Sequence, residues 1–345
     1  MYYKATTFDK SSCFFCYLND TFLQFINILY SITYIKGEYM LNEVIRYFPQ
    51  ELAKEISSLN VSDKIKEIRI RAYKRVFVIF HNTEIILNYV PKIEDLLNIL
   101  VNISKNSIYA IQNDINSGFV VIQGGHRIGV CGEVVISEGK IKNIKNINSM
   151  NVRIANEIIG AATKILPYVL DKNNGIRNTL IVSPPGCGKT TILRDLIRQL
   201  SNGVEKYNFK GKNIGVIDER GEIGAVYNGK SSLDLGIRTD IISNCPKDIG
   251  IKMCVRSMGL DIISTDEIGS KEDIDAIKEA SLSGVSLIFT MHASSVYDLY
   301  KRDDILKLID ERIFECIIVL SNKSGIGTIS DIKIIDKEEK NNACI

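Results

Sequence analysis

The stretch Thr179–Leu200, TLIVSPPGCGKTTILRDLIRQL, decides the fold of this 345-residue chain. It begins with an apolar run, continues through the loop SPPGCGKT and ends with residues at helical spacing. A buried strand, a glycine-rich loop and a helix in this order are the context in which a phosphate-binding loop (P-loop) occurs. The stretch therefore predicts an α/β fold in which nucleotide phosphates bind at the end of a strand of a mainly parallel, twisted sheet.

The residue types in this loop suit a triphosphate. Gly186 and Gly188 let backbone N–H groups turn inward without a Cβ in the way, and the helix N-terminus adds partial positive charge. We expect Lys189 to reach the β- and γ-phosphates of ATP and the Thr190 hydroxyl to hold Mg²⁺. The consensus has glycine where this chain has Ser183, so we expect weakened rather than lost cradling. The predicted nucleotide-binding residues are Ser183, Pro184, Pro185, Gly186, Cys187, Gly188, Lys189, Thr190 and Thr191.

A second apolar run, residues 260–267 (LDIISTDE), ends in the adjacent carboxylates of Asp266 and Glu267. Two carboxylates at the end of a buried strand are costly unless they serve a cation or a water molecule. We therefore expect Asp266 to hold Mg²⁺ through water, and Glu267 to polarise the water that attacks the γ-phosphate.

Two more predicted strands end in polar side chains. Residues 213–220 (NIGVIDER) carry Asp218 and Glu219, and residues 286–292 (SLIFTMH) end in His292. Ligands of open α/β sheets bind at the carboxyl ends of strands, where these groups would gather. Glu219 is therefore a candidate catalytic acid, and His292 a candidate to bond the γ-phosphate or orient the water.

An arginine commonly meets the charge that develops on the transferred phosphate, often from a neighbouring subunit. Sequence does not choose among the candidates, which are Arg238, Arg256, Arg69, Arg71, Arg127 and Arg153. For Arg220, the alternative to a place in the site is a surface ion pair with Glu222.

The pattern divides the chain into a smaller α+β domain over residues 40–150, a helical linker over 151–172, a P-loop domain over 173–336 and a flexible tail over 337–345. Within the first domain, helical spacing broken by Pro49 predicts one kinked helix or two short ones. The other elements expected there are strands within residues 65–80, an amphipathic helix over 91–104, and a hairpin of residues 119–122 and 127–135. The linker prediction rests on residues 151–170, NVRIANEIIGAATKILPYVL.

Residues 1–39 are expected to be a translated leader, with Met40 as the true start. The preceding Lys36-Gly37-Glu38 can be encoded by a purine-rich ribosome-binding sequence placed one codon before Met40. The apolar stretch 22–35 is shorter than the roughly 20 residues that a membrane-spanning helix needs.

Composition excludes several classes of protein. With 45% hydrophobic and 24% charged residues, the chain is typical of a globular protein. Its 43 basic and 41 acidic residues give a net charge of +2, whereas a dedicated duplex-DNA binder would be more basic. We therefore expect no nucleic-acid partner. The eight scattered cysteines suit reduced thiols rather than a disulfide framework.

Taken together, these motifs resemble those of the stage III sporulation protein AA family, which is similar to the secretion-type ATPases of type II and type IV systems and pili. The resemblance covers essentially all of residues 40–336. Besides SPPGCGKTT, it is carried by IDERGEI (217–223), GIRTD (236–240), RSMGLDIISTDEIG (256–269), TMHA (290–293), EIRIR (67–71) and GGHRIGVCGE (124–133).

The resemblance implies a RecA-like, Mg²⁺-dependent ATPase that forms a hexameric ring with its smaller N-terminal domain packed against the core. It also implies a motor in the mother-cell cytoplasm, at the base of a channel into the forespore. The motor would contact the membrane only through membrane-embedded channel proteins of the same operon.

By this resemblance, Ser183–Thr190 match the phosphate loop and Asp218–Glu222 an acidic box. Asp266 and Glu267 match the Walker B acids, and His292 matches the histidine box. Two other functions stay open: a ring scaffold that binds ATP with negligible turnover, and a nucleic-acid-stimulated RecA-like ATPase.

Overall fold

The computed structural model describes residues 41–59, 65–80, 83–155, 157–171 and 175–335. The predicted leader 1–39 and the predicted tail 337–345 lie outside these residues. The chain divides into two compact units. The first extends to Val120 and includes Arg127–Asn156, and the second comprises Val121–His126 and the residues from Glu157 onward.

The first unit is built on a six-stranded sheet. Its helices are residues 41–45 (α1), Gln50–Ser57 (α2), Ile93–Ile103 (α3) and Gln112–Asn116 (α4), and its strands are Glu67–Arg71 (β1), Phe77–Ile79 (β2), Glu84–Ile86 (β3), Phe119–Val121 (β4), Arg127–Ser137 (β5) and Lys140–Arg153 (β6). The order of the strands in the sheet is β3-β2-β1-β6-β5-β4. Strands β1, β2, β3, β5 and β6 pair in antiparallel fashion.

Most elements predicted for this unit are confirmed. The helical pattern breaks at Pro49, which caps α2 and has no backbone N–H to continue a helix from α1. Strands β1 and β2 lie within the predicted residues 65–80, and α3 buries Leu96, Ile99 and Ile103 on its apolar face. The fold of this unit is α+β, as expected.

The predicted helix over residues 151–170 is wrong for most of its length. Residues 151–153 are the end of β6, where Asn151 lies opposite Arg69 of β1, and only Leu166–Val169 (α5) is α-helical. Val152 is buried between partly exposed neighbours, which is the period of two that defines a strand. Farther on, Gly160 has a φ of +85°, which ends any regular helix there.

The second unit contains a seven-stranded sheet. The strands of this unit are Thr179–Ser183 (β7), Gly203–Val204 (β8), Phe209–Lys210 (β9), Ile214–Asp218 (β10), Val226–Tyr227 (β11), Lys230–Ser231 (β12), Thr239–Ser243 (β13), Ile262–Thr265 (β14), Ser286–His292 (β15), Cys316–Ser321 (β16) and Thr328–Ile334 (β17), and its helices after α5 are Lys189–Asn202 (α6), Lys247–Ser257 (α7), Lys271–Ser281 (α8), Val296–Tyr300 (α9) and Asp303–Asp310 (α10). The order of the strands in the sheet is β13-β10-β14-β15-β7-β16-β17. These strands pair in parallel, except that β16 and β17 are antiparallel.

Two apolar cores, one on each face, bury this sheet. One core includes apolar residues of α7, α8 and α10, and the other includes those of α5 and α6. Burial on both faces explains why β7, β10 and β14 are continuous apolar runs rather than alternating ones. The mainly parallel α/β fold predicted for this part of the chain is confirmed. Among the residues described, no helix is long and apolar enough to cross a membrane.

Candidate functional site

The loop between β7 and α6 has the backbone conformation that its glycines allow. Gly186 and Gly188 have φ values of +75° and +91°, in the left-handed region. A Cβ on Gly188 would lie 2.8 Å from Cγ2 of Ile326, so only glycine fits there without a shift. The turn between β16 and β17 also holds the loop, because the N–H of Gly327 donates to the carbonyl of Cys187 at 3.0 Å.

Lys189 lies folded under this loop. Its Nζ donates to the carbonyl of Ser183 at 3.0 Å and to that of Pro184 at 3.3 Å. Burial lowers the pKa of Lys189, and the negative charge of Glu267 opposes that shift. Ser183, at the position where glycine was expected, is fully buried and its hydroxyl donates to the carbonyl of Pro184. The serine therefore rigidifies the start of the loop.

The remaining predicted loop residues differ in exposure. Pro185 and Gly186 are exposed, Cys187 is buried, and Thr190 and Thr191 are half-buried in the first turn of α6. The hydroxyl-bearing residues therefore follow Lys189 at the helix N-terminus, where an anion is favoured.

Lys189 begins a chain of polar contacts that joins three strand ends. Its Nζ lies 2.9 Å from Nδ1 of His292, whose Nε2 lies 2.8 Å from Oε1 of Glu267. Oε2 of Glu267 accepts from Nη1 of Arg220 at 3.1 Å. An ammonium can only donate hydrogen bonds, so Nδ1 of His292 accepts one from Lys189. Nε2 therefore carries the ring proton and donates a hydrogen bond to Glu267. Lys189, His292 and Glu267 are thus brought together, as the sequence predicts.

Asp218 organises the loop that follows β10. Its buried carboxylate accepts four backbone N–H groups, from Glu222, Ile223, Gly224 and Ala225, at 2.8 to 3.3 Å. From the other side, Arg194 of α6 donates to the carbonyls of Glu222 and Ile223 at 2.7 and 2.9 Å. This loop is therefore fastened both to its own strand and to the helix that follows the P-loop.

Glu219, predicted as a catalytic acid, forms an ion pair with Lys247 at the start of α7. Lys247 is nearly fully buried, whereas the side chain of Glu219 is about one-third exposed. Glu219 thus stands near the group of polar residues but is already held by a cation. Its assignment as a catalytic residue stays a prediction.

Asp266 is the most isolated carboxylate of the group. It is 2% exposed, and none of the residues described donates a hydrogen bond to it or forms an ion pair with it. Burial raises its pKa to about 7, and the negative charges of Asp218, Glu222 and Glu267 act in the same direction. A buried, unpartnered carboxylate of this kind suits a divalent cation, which would relieve both the burial and the repulsion.

The donor set suits Mg²⁺ in particular. Within the described ranges, no three or more His, Cys, Asp or Glu side chains form a group that could hold a metal ion. Mg²⁺ usually takes one or two protein oxygens and completes its shell with water and phosphate oxygens. Thr190 and Asp266 each carry a side-chain oxygen of the kind that Mg²⁺ prefers, and their predicted role as its ligands stays a prediction.

Arg238 is not brought to this group within one chain. Its Nη1 donates to the carbonyl of Ser201 at 2.9 Å, at the C-terminal end of α6. That end is about 20 Å from Lys189 along a 14-residue helix. A role across a subunit boundary stays a prediction. Four of the other five arginine candidates have local partners: Arg256 pairs with Glu279, Arg69 with Glu67, and Arg71 and Arg127 lie over the rings of Phe77 and Phe119. Arg153, the fifth, is exposed at the end of β6.

Two residues at the site were not predicted for it: Arg194 and Lys247. For Arg220, the sequence left open a place at the site or a surface ion pair with Glu222, and the structure contradicts the ion pair, because Arg220 contacts Glu267 of the neighbouring strand. Arg194 lies in the predicted helix after the P-loop, but no role was predicted for it. A surplus of carboxylates at the predicted strand ends was the one available signal that nearby cations would have to balance them.

Comparison with known proteins defines the class of protein first. The structure of the pilus retraction motor PilT with bound ADP superposes with a TM-score of 0.53 at 16% identity, over 78% of this chain and 76% of that one. The ATPase DotB of Legionella pneumophila gives a TM-score of 0.50 at 16% identity, over 74% and 72% of the two chains. The fold is that of the P-loop secretion ATPases, with a RecA-like core.

Sequence then defines the family. The profile of the family described as "Sporulation stage III, protein AA" matches residues 42–340. The stage III sporulation protein AA of Bacillus subtilis (strain 168) is 38% identical over 294 residues, which are 85% of this chain and 94% of that protein. The chain belongs to the sporulation stage III protein AA family, as its motifs predict.

Proposed function

We propose that this protein hydrolyses ATP with Mg²⁺ as a secretion-type motor that acts in sporulation. The observation that carries the proposal is the contact series from Lys189 of the P-loop through His292 to Glu267, beside the unpartnered carboxylate of Asp266. A P-loop lysine and a candidate general base are therefore joined through His292, and the candidate Mg²⁺ ligand is the residue that precedes that base in the chain.

Each residue of the group has a distinct task. The loop amides and Lys189 bind the phosphates, and Thr190 and Asp266 would hold Mg²⁺, which supplies charge neutralisation when bound. Glu267 accepts the proton of the attacking water. Its carboxylate is oriented by the contact with Nε2 of His292, at 2.8 Å. The imidazole of His292 lies between Lys189 and Glu267, so a movement of either side chain changes its hydrogen bonds.

The larger assembly belongs to the same proposal. We infer a homohexamer on the cytoplasmic face of the mother-cell membrane, held there by membrane-embedded sporulation channel proteins and powering assembly of, or transport through, the channel into the forespore. Family membership and the likeness in fold to a pilus motor support this inference. The scaffold alternative has no use for Glu267 beside the P-loop group, and the net charge of +2 argues against stimulation by nucleic acid.

The test compares phosphate release by the full-length wild type with that by Glu267→Gln, and ATP affinity is measured for both. We expect turnover that depends on Mg²⁺, a loss of kcat of about 100-fold or more in the variant, and unchanged ATP affinity. Glu311→Gln, which alters an exposed glutamate paired with Lys278 on α8, is the matched control. ATP binding without turnover in the wild type, at concentrations that allow ring assembly, would favour the scaffold.

A further inference from the structure

The carboxylate of Glu267 is held at both oxygens, by two different elements. Nε2 of His292, at the end of β15, lies 2.8 Å from Oε1, and Nη1 of Arg220, in the loop after β10, lies 3.1 Å from Oε2. Two donors on separate oxygens fix the plane of a carboxylate, which one donor cannot do. Arg220 is the outer of the two, with its side chain 56% exposed.

The backbone of Glu267 is already fixed. Its φ is +46°, in the left-handed region that non-glycine residues seldom occupy. Its N–H donates to Oγ1 of Thr290 on β15 at 2.9 Å. The freedom that remains to Glu267 is therefore in its side-chain torsions, and His292 and Arg220 are the groups that restrict them.

Arg220 itself is carried on a rigid support. The following residues of its loop are bound through their N–H groups to Asp218, and two of the loop carbonyls accept from Arg194. The preceding residue, Glu219, is paired with Lys247. Because the residues on both sides of Arg220 are held, the backbone position of Arg220 is fixed. That position limits where its guanidinium can lie, although most of the side chain is in solvent.

Accordingly, we propose that Arg220 is a positioning residue, which holds Glu267 in the orientation that water activation requires. The inference rests on the proposed function. Arg220 acts through Glu267 and has no contact with Lys189, so its removal should change the catalytic step and leave nucleotide binding intact. A misoriented general base loses rate steeply, because about 1 Å of displacement can cost on the order of 100-fold.

The first experiment measures kcat, KM and ATP affinity for Arg220→Ala and Arg220→Lys in the full-length protein. We expect Arg220→Ala to lower kcat by about 10- to 100-fold, with ATP affinity within about twofold of the wild type. Arg220→Lys should recover most of the loss, because an ammonium can also donate to Oε2. Arg302→Ala, which removes an exposed arginine at the start of α10, is the matched control and should match the wild type.

The second experiment places Arg220→Ala in the Glu267→Gln background, where it should have no further effect on kcat. An equal loss in both backgrounds, an unchanged kcat in the single variant, or a loss of ATP affinity as large as the loss of kcat would each overturn the proposal.

A thermal-unfolding cycle over Arg220→Ala and Glu267→Ala separates this proposal from the proposed function, because it needs no turnover. Shifts in Tm that do not add would support the contact even in a protein that hydrolyses no ATP. Additive shifts would contradict it, including in a protein that is active.

Discussion

Strands β10 and β14 both lead into an aspartate, but the carboxylates of these two aspartates differ in their hydrogen-bond partners. The two strands pair in parallel with Ile217 opposite Thr265, so Asp218 and Asp266 occupy equivalent positions just beyond that pair. Both aspartates are buried. Asp218 accepts four backbone N–H groups, whereas Asp266 accepts none from the residues described and has a pKa raised to about 7.

The difference separates a carboxylate that builds the site from one that is available to a ligand. Asp218 is fully used in holding a loop, and a cation there would have to compete with four donors. Asp266 is buried at a free-energy cost that only the charge of Lys247, among the influences on its pKa, offsets in part. Position at the carboxyl ends of neighbouring strands makes both aspartates candidates for the site, but only the partners of each carboxylate suggest its task.

Replacing Asp218 should give the largest effect on stability. Asp218→Ala leaves four N–H groups without their acceptor, and the expected loss in the free energy of unfolding is about 4 kcal/mol. Urea unfolding followed by circular dichroism measures it. Asp218→Asn keeps one carbonyl oxygen and should lose less. A loss below about 1 kcal/mol for the alanine variant would mean that the loop finds other acceptors.

Replacing Asp266 should have the opposite sign. In the unfolded chain this carboxyl titrates near 3.8 and in the folded protein near 7, so folding loses stability as pH rises between those values. Asp266→Asn removes that penalty. Its Tm, measured without Mg²⁺, should exceed that of the wild type by about 5 °C at pH 8 and by much less at pH 4.

Mg²⁺ sharpens this test of Asp266. Added with ATP, it should raise the Tm of the wild type more than that of Asp266→Asn, because binding to the folded state stabilises it by mass action. A gain in Tm for Asp266→Asn that is equal at pH 4 and pH 8 would contradict the raised pKa.

The smallest effect is expected from Lys247. Its ammonium pairs with Glu219 and lowers the pKa of Asp266, against the other influences on that carboxyl. Lys247→Met keeps the apolar stem, and the partly exposed Glu219 can be solvated by water once it is unpaired, so the loss of stability should be about 1 kcal/mol. ATP hydrolysis should then need about threefold more Mg²⁺, since Asp266 is harder to ionise. Lys301→Met, which breaks an exposed pair with Asp298, is the control and should leave the Mg²⁺ dependence unchanged.

The core of the second unit could be predicted because strands that are buried on both faces of a sheet appear in the sequence as unbroken apolar runs. Residues 179–183 and 286–292 are such runs, and both are strands. Strand β6 was not predicted: no element was assigned to residues 140–150, and residues 151–153 were placed in a helix. Its apolar residues Ile141, Ile144 and Ile147 recur every three positions, not in the period of two that marks a strand. That spacing is accommodated by shifts in the register between β5 and β6.

At the site, sequence brought the candidate catalytic residues together but did not show how their partners would hold them. Lys189, Glu267 and His292 end strands or begin a helix, so their position follows from the order of the elements. Arg220 and Arg194 act through partners that are distant along the chain, at 47 and 28–29 residues. No local pattern encodes such a partner, because it depends on which strands become neighbours in the sheet.

The contact between Gly188 and Ile326 has a consequence for the order in which the protein is made. The P-loop and the turn that packs on it, between β16 and β17, are almost 140 residues apart, and the N–H of Gly327 binds the carbonyl of Cys187. A ribosome therefore completes the P-loop long before it supplies the residues that support it. Closing so long a loop is slow and comes late in folding. The ribosome must synthesise the β16–β17 hairpin before the P-loop can be supported by its turn. A nascent chain that ends before this hairpin therefore lacks the contact with the P-loop.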